Sequence, residues 1–180
     1  MTLALHGHHA LLIATLAFIA AVLTPYWYTS PNQTLHIDIF KICNSSSIPS
    51  QCPWTYSLLA NNSHFGSINL VYPIVISSCA LGCVLISFIG LVLGSWYLQR
   101  HTDEHNATWL LVLTLILVFL SFLLSCAVWT IILTTNLQHD NLSNYKVRLA
   151  DFGFSFWINI GSSVAYLYTF ILYLISVCQG

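Results

Sequence analysis

The stretch that decides the fold is "WLLVLTLILVFLSFLLSCAVWTIIL", Trp109–Leu133, which contains no Asp, Glu, Lys or Arg. As an α-helix it would be about 37 Å long at about 1.5 Å per residue, longer than the hydrocarbon core of a bilayer at about 30 Å. Each central Leu, Ile, Val or Phe favours insertion by about 0.3–0.6 kcal/mol. The sequence therefore predicts a transmembrane helix here.

Three more apolar runs have the same character. They are predicted to span the membrane at Leu5–Leu23, Val71–Leu98 and Phe154–Val177. Apolar residues make up 57% of the chain and charged residues only 5%, whereas about 25% charged residues is usual in a soluble domain. We therefore expect an all-α membrane protein, with a four-transmembrane-helix bundle as a single domain over residues 1–180. The first run would alternatively be a cleaved signal peptide, but no Lys or Arg precedes it, as a signal peptide normally requires.

The polar connections between the runs contain residues whose chemistry belongs outside the cell. The glycosylation sequons in residues 28–70 and 134–151 are Asn32, Asn44, Asn61 and Asn141. Cys43 and Cys52 lie in the first connection and could pair in an oxidising compartment. We therefore predict that these connections are extracellular loops 1 and 2, that residues 99–108 form a cytoplasmic loop, and that both termini are cytoplasmic in the plasma membrane. The few Lys and Arg residues do not decide the orientation by the positive-inside rule.

The apolar runs lack the residues that transport and catalysis require. None has an Asp, Glu, Lys or Arg at its centre, which disfavours ion pumps and coupled transporters. No catalytic motif is present, so we predict that the protein is not an enzyme. The "HGHH" of His6–His9 and the "RHTDEH" of Arg100–His105 could suggest metal ligands, but interfacial or solvated side chains explain both better. The net charge of −1 disfavours nucleic-acid partners, and we predict no cofactor.

Small residues are placed where transmembrane helices could approach each other closely. Gly90 and Gly94 lie in "GLVLG" of the second run, and Gly161 lies in the fourth. We predict that these glycines pack helices within the bundle, in preference to forming a dedicated dimer motif.

The first extracellular connection has the pattern of a small sheet. In "TLHIDIFKIC", Thr34–Cys43, apolar and polar residues alternate up to Ile39, which is typical of a half-buried strand. The alternation then slips, which we interpret as a bulge at Ile39–Phe40. The Ser-rich segment Asn44–Gln51 predicts a turn, and a returning strand from Cys52 would complete a hairpin. A Cys43–Cys52 disulfide closing this short loop would stabilise it by about 2–3 kcal/mol.

These features together resemble the claudin superfamily, which includes claudins, peripheral myelin proteins, and the gamma-type regulatory subunits of calcium channels and AMPA receptors. Trp27 after the first span and the pair Cys43 and Cys52 match its signature. Asp38-Ile39-Phe40 stands where the family has Gly-Leu-Trp, so that only the aromatic residue, Phe40, matches. The acidic-aromatic-Gly entry to the fourth span is matched by Asp151 and Gly153. The resemblance implies an extracellular antiparallel β-sheet on a four-helix bundle.

Two functions follow from this resemblance. One is an auxiliary subunit that packs laterally on an ion channel or receptor and modulates its gating, assembly or trafficking. The other is a junctional protein that controls the paracellular barrier, by self-association. Glycans on the first loop would hinder tight packing between loops, and the loop has only Asp38 and Lys41 to line a pore. The sequence therefore favours the auxiliary subunit.

Overall fold

The computed structural model describes the four predicted helical regions and parts of the first connection. The described residues are 2–25, 27–29, 35–37, 39–40, 42–44, 71–100, 108–143 and 149–179. The helices are α1 (Thr2–Leu23), α2 (Val71–Arg100), α3 (Thr108–Ser143) and α4 (Phe154–Gln179). Each is long and apolar enough to cross a membrane. The prediction of an all-α, four-helix integral membrane protein is thus confirmed.

The third helix is longer than its apolar run. It continues past Leu133 to Ser143, into the segment predicted as a loop from residue 134. The added residues contain neither Gly nor Pro, so nothing in them interrupts the backbone hydrogen bonds. A short 3-10 turn, Leu149–Asp151, then precedes α4. The helix continues beyond the apolar stretch because backbone hydrogen bonding does not require apolar side chains, whereas membrane insertion does.

The four helices pack as a closed ring in which neighbours run antiparallel. The most extensive contacts are between α2 and α3 and between α1 and α4, and further contacts join α3 to α4 and α1 to α2. At the centre lie fully buried apolar side chains, among them Leu11, Phe18 and Val118. Apolar side chains such as Ile13 and Leu85 also cover the outer surface. The helices therefore present apolar side chains on their outer as well as their inner surfaces, as expected for membrane-spanning helices.

Buried hydroxyl groups in the bundle mostly bond to their own helix. Thr15 donates to the carbonyl of Leu11, and Thr169 to that of Ala165, each at 2.8 Å. Such bonds to the preceding turn satisfy a hydroxyl without help from a neighbouring helix. They allow small polar residues at close helix contacts without an unsatisfied group in the apolar interior.

Three short antiparallel strands follow α1. They are β1 (Tyr28–Thr29), β2 (Leu35–Ile37) and β3 (Ile42–Asn44), in the order β1-β2-β3. Ile37 pairs with Ile42, so the chain reverses direction between these two residues.

This reversal corrects the interpretation of the slip at Ile39–Phe40 as a bulge. The alternation fails there because the two residues lie in the hairpin connection, where side chains need not alternate between two faces. The turn predicted at residues 44–51 and the strand predicted from Cys52 lie beyond the part of the loop that the structure describes.

Candidate functional site: the junction between sheet and bundle

Trp27 anchors the chain where it leaves the first helix. The last backbone hydrogen bond of this helix end joins the Thr24 amide to the Ala20 carbonyl at 3.1 Å, just before Pro25. Trp27 then turns back, and its indole Nε1 donates to the Ala21 carbonyl at 2.9 Å. The side chain is only 1% exposed. Trp27 thus donates to a carbonyl that receives no backbone N–H, because the residue four positions on is Pro25. The Thr24 hydroxyl lies 3.2 Å from the same oxygen.

The entry to α4 meets the Trp27 segment directly. The Gly153 amide donates to the Trp27 carbonyl at 3.1 Å, and Tyr28 and Phe152 form an isolated antiparallel β-bridge. Trp27 and Gly153, which were singled out from distant parts of the sequence, are therefore joined by a hydrogen bond. Asp151, which matches the acidic position of the acidic-aromatic-Gly entry to the fourth span, is half-buried at the end of the 3-10 turn.

A series of aromatic rings connects β1 to α4. Tyr28 and Phe152 have ring centroids 5.6 Å apart, and Phe152 and Phe156 are 4.4 Å apart. All three side chains are at most 8% exposed. Aromatic pairs at such distances add about 0.5–1.5 kcal/mol each beyond the burial of their area. These ring contacts therefore help to hold β1 against the start of α4.

Two hydroxyl groups link the end of α1 to the start of α4. The side-chain oxygens of Thr24 and Ser155 are 2.7 Å apart. Thr24 also donates to the Ala20 carbonyl at 2.8 Å, and the Ser155 hydroxyl lies 3.2 Å from the Thr24 carbonyl. The two helices are therefore connected by side chains as well as by the Trp27–Gly153 backbone bond.

The hairpin connection also reaches the apolar core. Ile39 is 2% exposed and belongs to the same cluster of buried residues as Trp27 and Phe156. Phe40, the aromatic residue expected at the family motif, is partly buried and packs against that cluster. The β2–β3 connection and the helices thus share one core.

The three glycines predicted to pack helices differ in their surroundings. A Cβ atom on Gly94 would lie 3.0 Å from His8 Nδ1 and 3.1 Å from the Tyr173 oxygen, so three helices meet closely there. A Cβ atom on Gly90 would make ordinary contacts of 3.7 Å. Gly161 is exposed, with no atom within 4 Å of its Cβ position in the described structure. The prediction of packing within the bundle is therefore wrong for Gly161.

Buried polar groups link helices deeper in the bundle. Ser125 on α3 donates to Asn159 Oδ1 at 2.8 Å and lies 2.7 Å from the Ser163 oxygen, both on α4. The Cys83 thiol on α2 donates to the Ser121 carbonyl on α3 at 3.4 Å. These hydrogen bonds hold helices together. Among the described residues there is no group of three His, Cys, Asp or Glu side chains that could hold a metal ion.

The disulfide and the sequons stay predictions. Cys52, Asn32 and Asn61 lie outside the described residues. Cys43 and Asn44 lie in β3, where the structure describes the backbone, and Asn141 lies in the last turn of α3. The other four cysteines are free; they are Cys79, Cys83, Cys126 and Cys178.

Sequence reasoning did not predict the ring contacts of Tyr28 and Phe156 with Phe152, nor the Thr24–Ser155 pair. A signal existed for the aromatic residues, since "PYWY" and "FGFSF" are dense in rings at the ends of two apolar runs. No signal marked Thr24 and Ser155, because hydroxyl residues occur throughout the spans. In comparisons with known proteins, no family model matches the chain, and no curated protein matches it.

Proposed function

We propose that the protein is an auxiliary subunit that packs laterally against an ion channel or receptor and modulates its gating, assembly or trafficking. In this proposal it lies in the plasma membrane with both termini in the cytoplasm. The sheet and the connections 28–70 and 134–151 are then extracellular. The resemblance of Trp27, the Cys43 and Cys52 pair and Gly153 to claudin-type regulatory subunits supports the class of partner.

The observation that carries the proposal is an exposed stripe on the outward face of α4, with a gap at Gly161 and one polar group, the Tyr168 hydroxyl. Trp157, Val164 and Tyr168 are 46%, 62% and 57% exposed, and Gly161 lies between the first two. Their spacing of three and four residues places them on one face of the helix. Since nothing fills the Cβ position of Gly161, the stripe has a notch between two large side chains. Such a surface can accept a side chain from a neighbouring helix.

The Tyr168 hydroxyl favours contact of this face with protein over contact with lipid. It lies about 21 Å along α4 from Phe154, which is near the middle of the span. Within the described chain its hydroxyl has no hydrogen-bond partner, and lipid tails offer none. An unpaired hydroxyl in an apolar medium costs about 1–3 kcal/mol by protein measurements. A partner helix with a carbonyl, hydroxyl or amide opposite Tyr168 would remove part of that cost.

The position of Asn44 supports a subunit over a junctional protein. Among the described strands β3 is at the edge of the sheet, and Asn44 is its last residue. A glycan at this sequon would obstruct pairing of the edge with another chain. Junctional assembly by contact between loops would be hindered, whereas packing through the membrane would not be.

Purification from native membranes in mild detergent tests the proposal. The wild-type protein should retain a channel or receptor subunit in fixed stoichiometry, and Gly161→Leu or Tyr168→Phe should reduce the amount retained. Ala20→Leu, which adds bulk at an exposed position of α1, serves as the matched control and should retain the partner. Continuous intramembrane strands in freeze-fracture images of transfected cells, with no retained partner, would instead establish the barrier function.

A further inference from the structure

Two buried polar atoms without hydrogen-bond partners converge on one glycine. They are Nδ1 of His8 and the hydroxyl of Tyr173, and neither is bonded to any group in the described structure. A Cβ atom on Gly94 would lie 3.0 Å from the first and 3.1 Å from the second. Because buried polar groups are nearly always hydrogen-bonded, two unpaired polar atoms this close together suggest a shared partner.

The three residues belong to three helices at the same level of the bundle. His8 is six residues from the start of α1, Gly94 six from the end of α2, and Tyr173 six from the end of α4. Each therefore lies about 9 Å inside the same end of the bundle. The Tyr173 ring also packs on α1, since its Cζ atom would be 3.5 Å from a Cβ atom on Gly7.

We infer that this end of the bundle binds one small hydrogen-bonding ligand, a water molecule, between His8 Nδ1 and the Tyr173 hydroxyl against Gly94. Because both atoms are close to a single point, they are at most about 6 Å apart. A water molecule with two hydrogen bonds of about 2.8 Å spans up to about 5.6 Å. Because Gly94 has no side chain, both atoms can approach the backbone of α2 closely, where a Cβ atom would lie within 3.1 Å of each.

The chemistry of both groups is compatible with a bridging water molecule. His8 Nε2 is 3.2 Å from the Ser95 hydroxyl oxygen, and a hydroxyl can donate or accept there. Nδ1 is then an acceptor in one tautomer and a donor in the other. Water donates and accepts equally well, so it satisfies Nδ1 and the Tyr173 hydroxyl in both tautomers. A polar site with at least two partners is where buried water is found.

Water can reach this site from the nearer end of the bundle. Ser95 is exposed and the His8 ring is half-buried, whereas Tyr173 is only 1% exposed. The imidazole therefore stands between the surface and the buried hydroxyl. The bound water would connect α1 to α4 at this end of the bundle, beside the direct His8–Ser95 contact between α1 and α2.

Radiolytic labelling in water enriched in heavy oxygen tests the inference on the full-length protein in detergent. Hydroxyl radicals formed from a bound water oxidise the side chains beside it, so Tyr173 should incorporate heavy oxygen severalfold faster than Tyr166. Tyr166 is an internal control, since it is equally buried and its hydroxyl contacts Thr15 at 3.5 Å. Labelling of Tyr173 at the slow rate of Tyr166 would overturn the inference.

Two variants distinguish a bound water from a locally open structure. Gly94→Ala fills the site, and Tyr173 labelling should fall severalfold; Gly90→Ala, one turn away with a Cβ contact of 3.7 Å, should leave it unchanged. If Gly94→Ala does not fold, Tyr173→Phe removes one partner without adding volume, and labelling of His8 should fall. Unchanged labelling in Gly94→Ala, or of His8 in Tyr173→Phe, would mean that the labelling comes from bulk solvent and would refute the site.

Discussion

Replacing Trp27 by Phe should destabilise the protein by about 2–4 kcal/mol. The indole is 1% exposed and donates a 2.9 Å hydrogen bond to the Ala21 carbonyl. Loss of a buried hydrogen bond with its acceptor left in place costs about 1–3 kcal/mol. The smaller ring also leaves a void, at about 24 cal/mol per Å³, which adds about 1 kcal/mol for a partly relaxed site. The two terms overlap only slightly, because one concerns the Nε1 atom and the other the ring volume.

Unfolding in mixed micelles with increasing denaturing detergent, followed by circular dichroism, measures this loss. Trp157→Phe is the matched control: the same chemical change is made where the side chain is 46% exposed, and the expected change is within about 0.5 kcal/mol. If the two variants unfold at the same detergent fraction, Trp27 does not hold the junction between sheet and bundle as argued.

Three further predictions concern the same end of the molecule. Removing the Thr24 and Ser155 hydroxyls singly and together, as Thr24→Val and Ser155→Ala, should reveal a coupling of about 0.6–1.7 kcal/mol in a double-mutant cycle; additive losses would show that their 2.7 Å contact contributes nothing. Cys43→Ser and Cys52→Ser should each abolish a mobility shift on reduction and lower stability by about 2–3 kcal/mol, and a persistent shift in either variant would exclude this pairing. Asn44→Gln should remove one glycosidase-sensitive band, whereas an unchanged band pattern would place Asn44 away from the lumenal side or leave it unmodified.

The sequence by itself determined the number of helices and their approximate positions in the chain. This is possible because membrane insertion depends on the summed transfer free energy of about 20 consecutive residues, as in Trp109–Leu133. The extension of α3 to Ser143 escaped prediction, since it depends on backbone hydrogen bonding beyond the apolar stretch. The residues Trp27 and Gly153 were also identified in advance, although only by resemblance and without their mutual contact.

The tertiary structure decided which side of α1, α2 and α3 faces inward. These helices have apolar residues on both their buried and their outward sides, so hydrophobicity alone does not mark the inner face. On α4 the inner face does have a sequence signal, a stripe of small polar residues that includes Ser155, Asn159 and Ser162. Gly94 and Gly161 are therefore alike in sequence, but one lies against His8 and Tyr173 and the other faces outward. The Trp27–Gly153 hydrogen bond was also decided by the tertiary structure. It joins the end of α1 to the start of α4, which are far apart in sequence and meet because the two helices pack side by side.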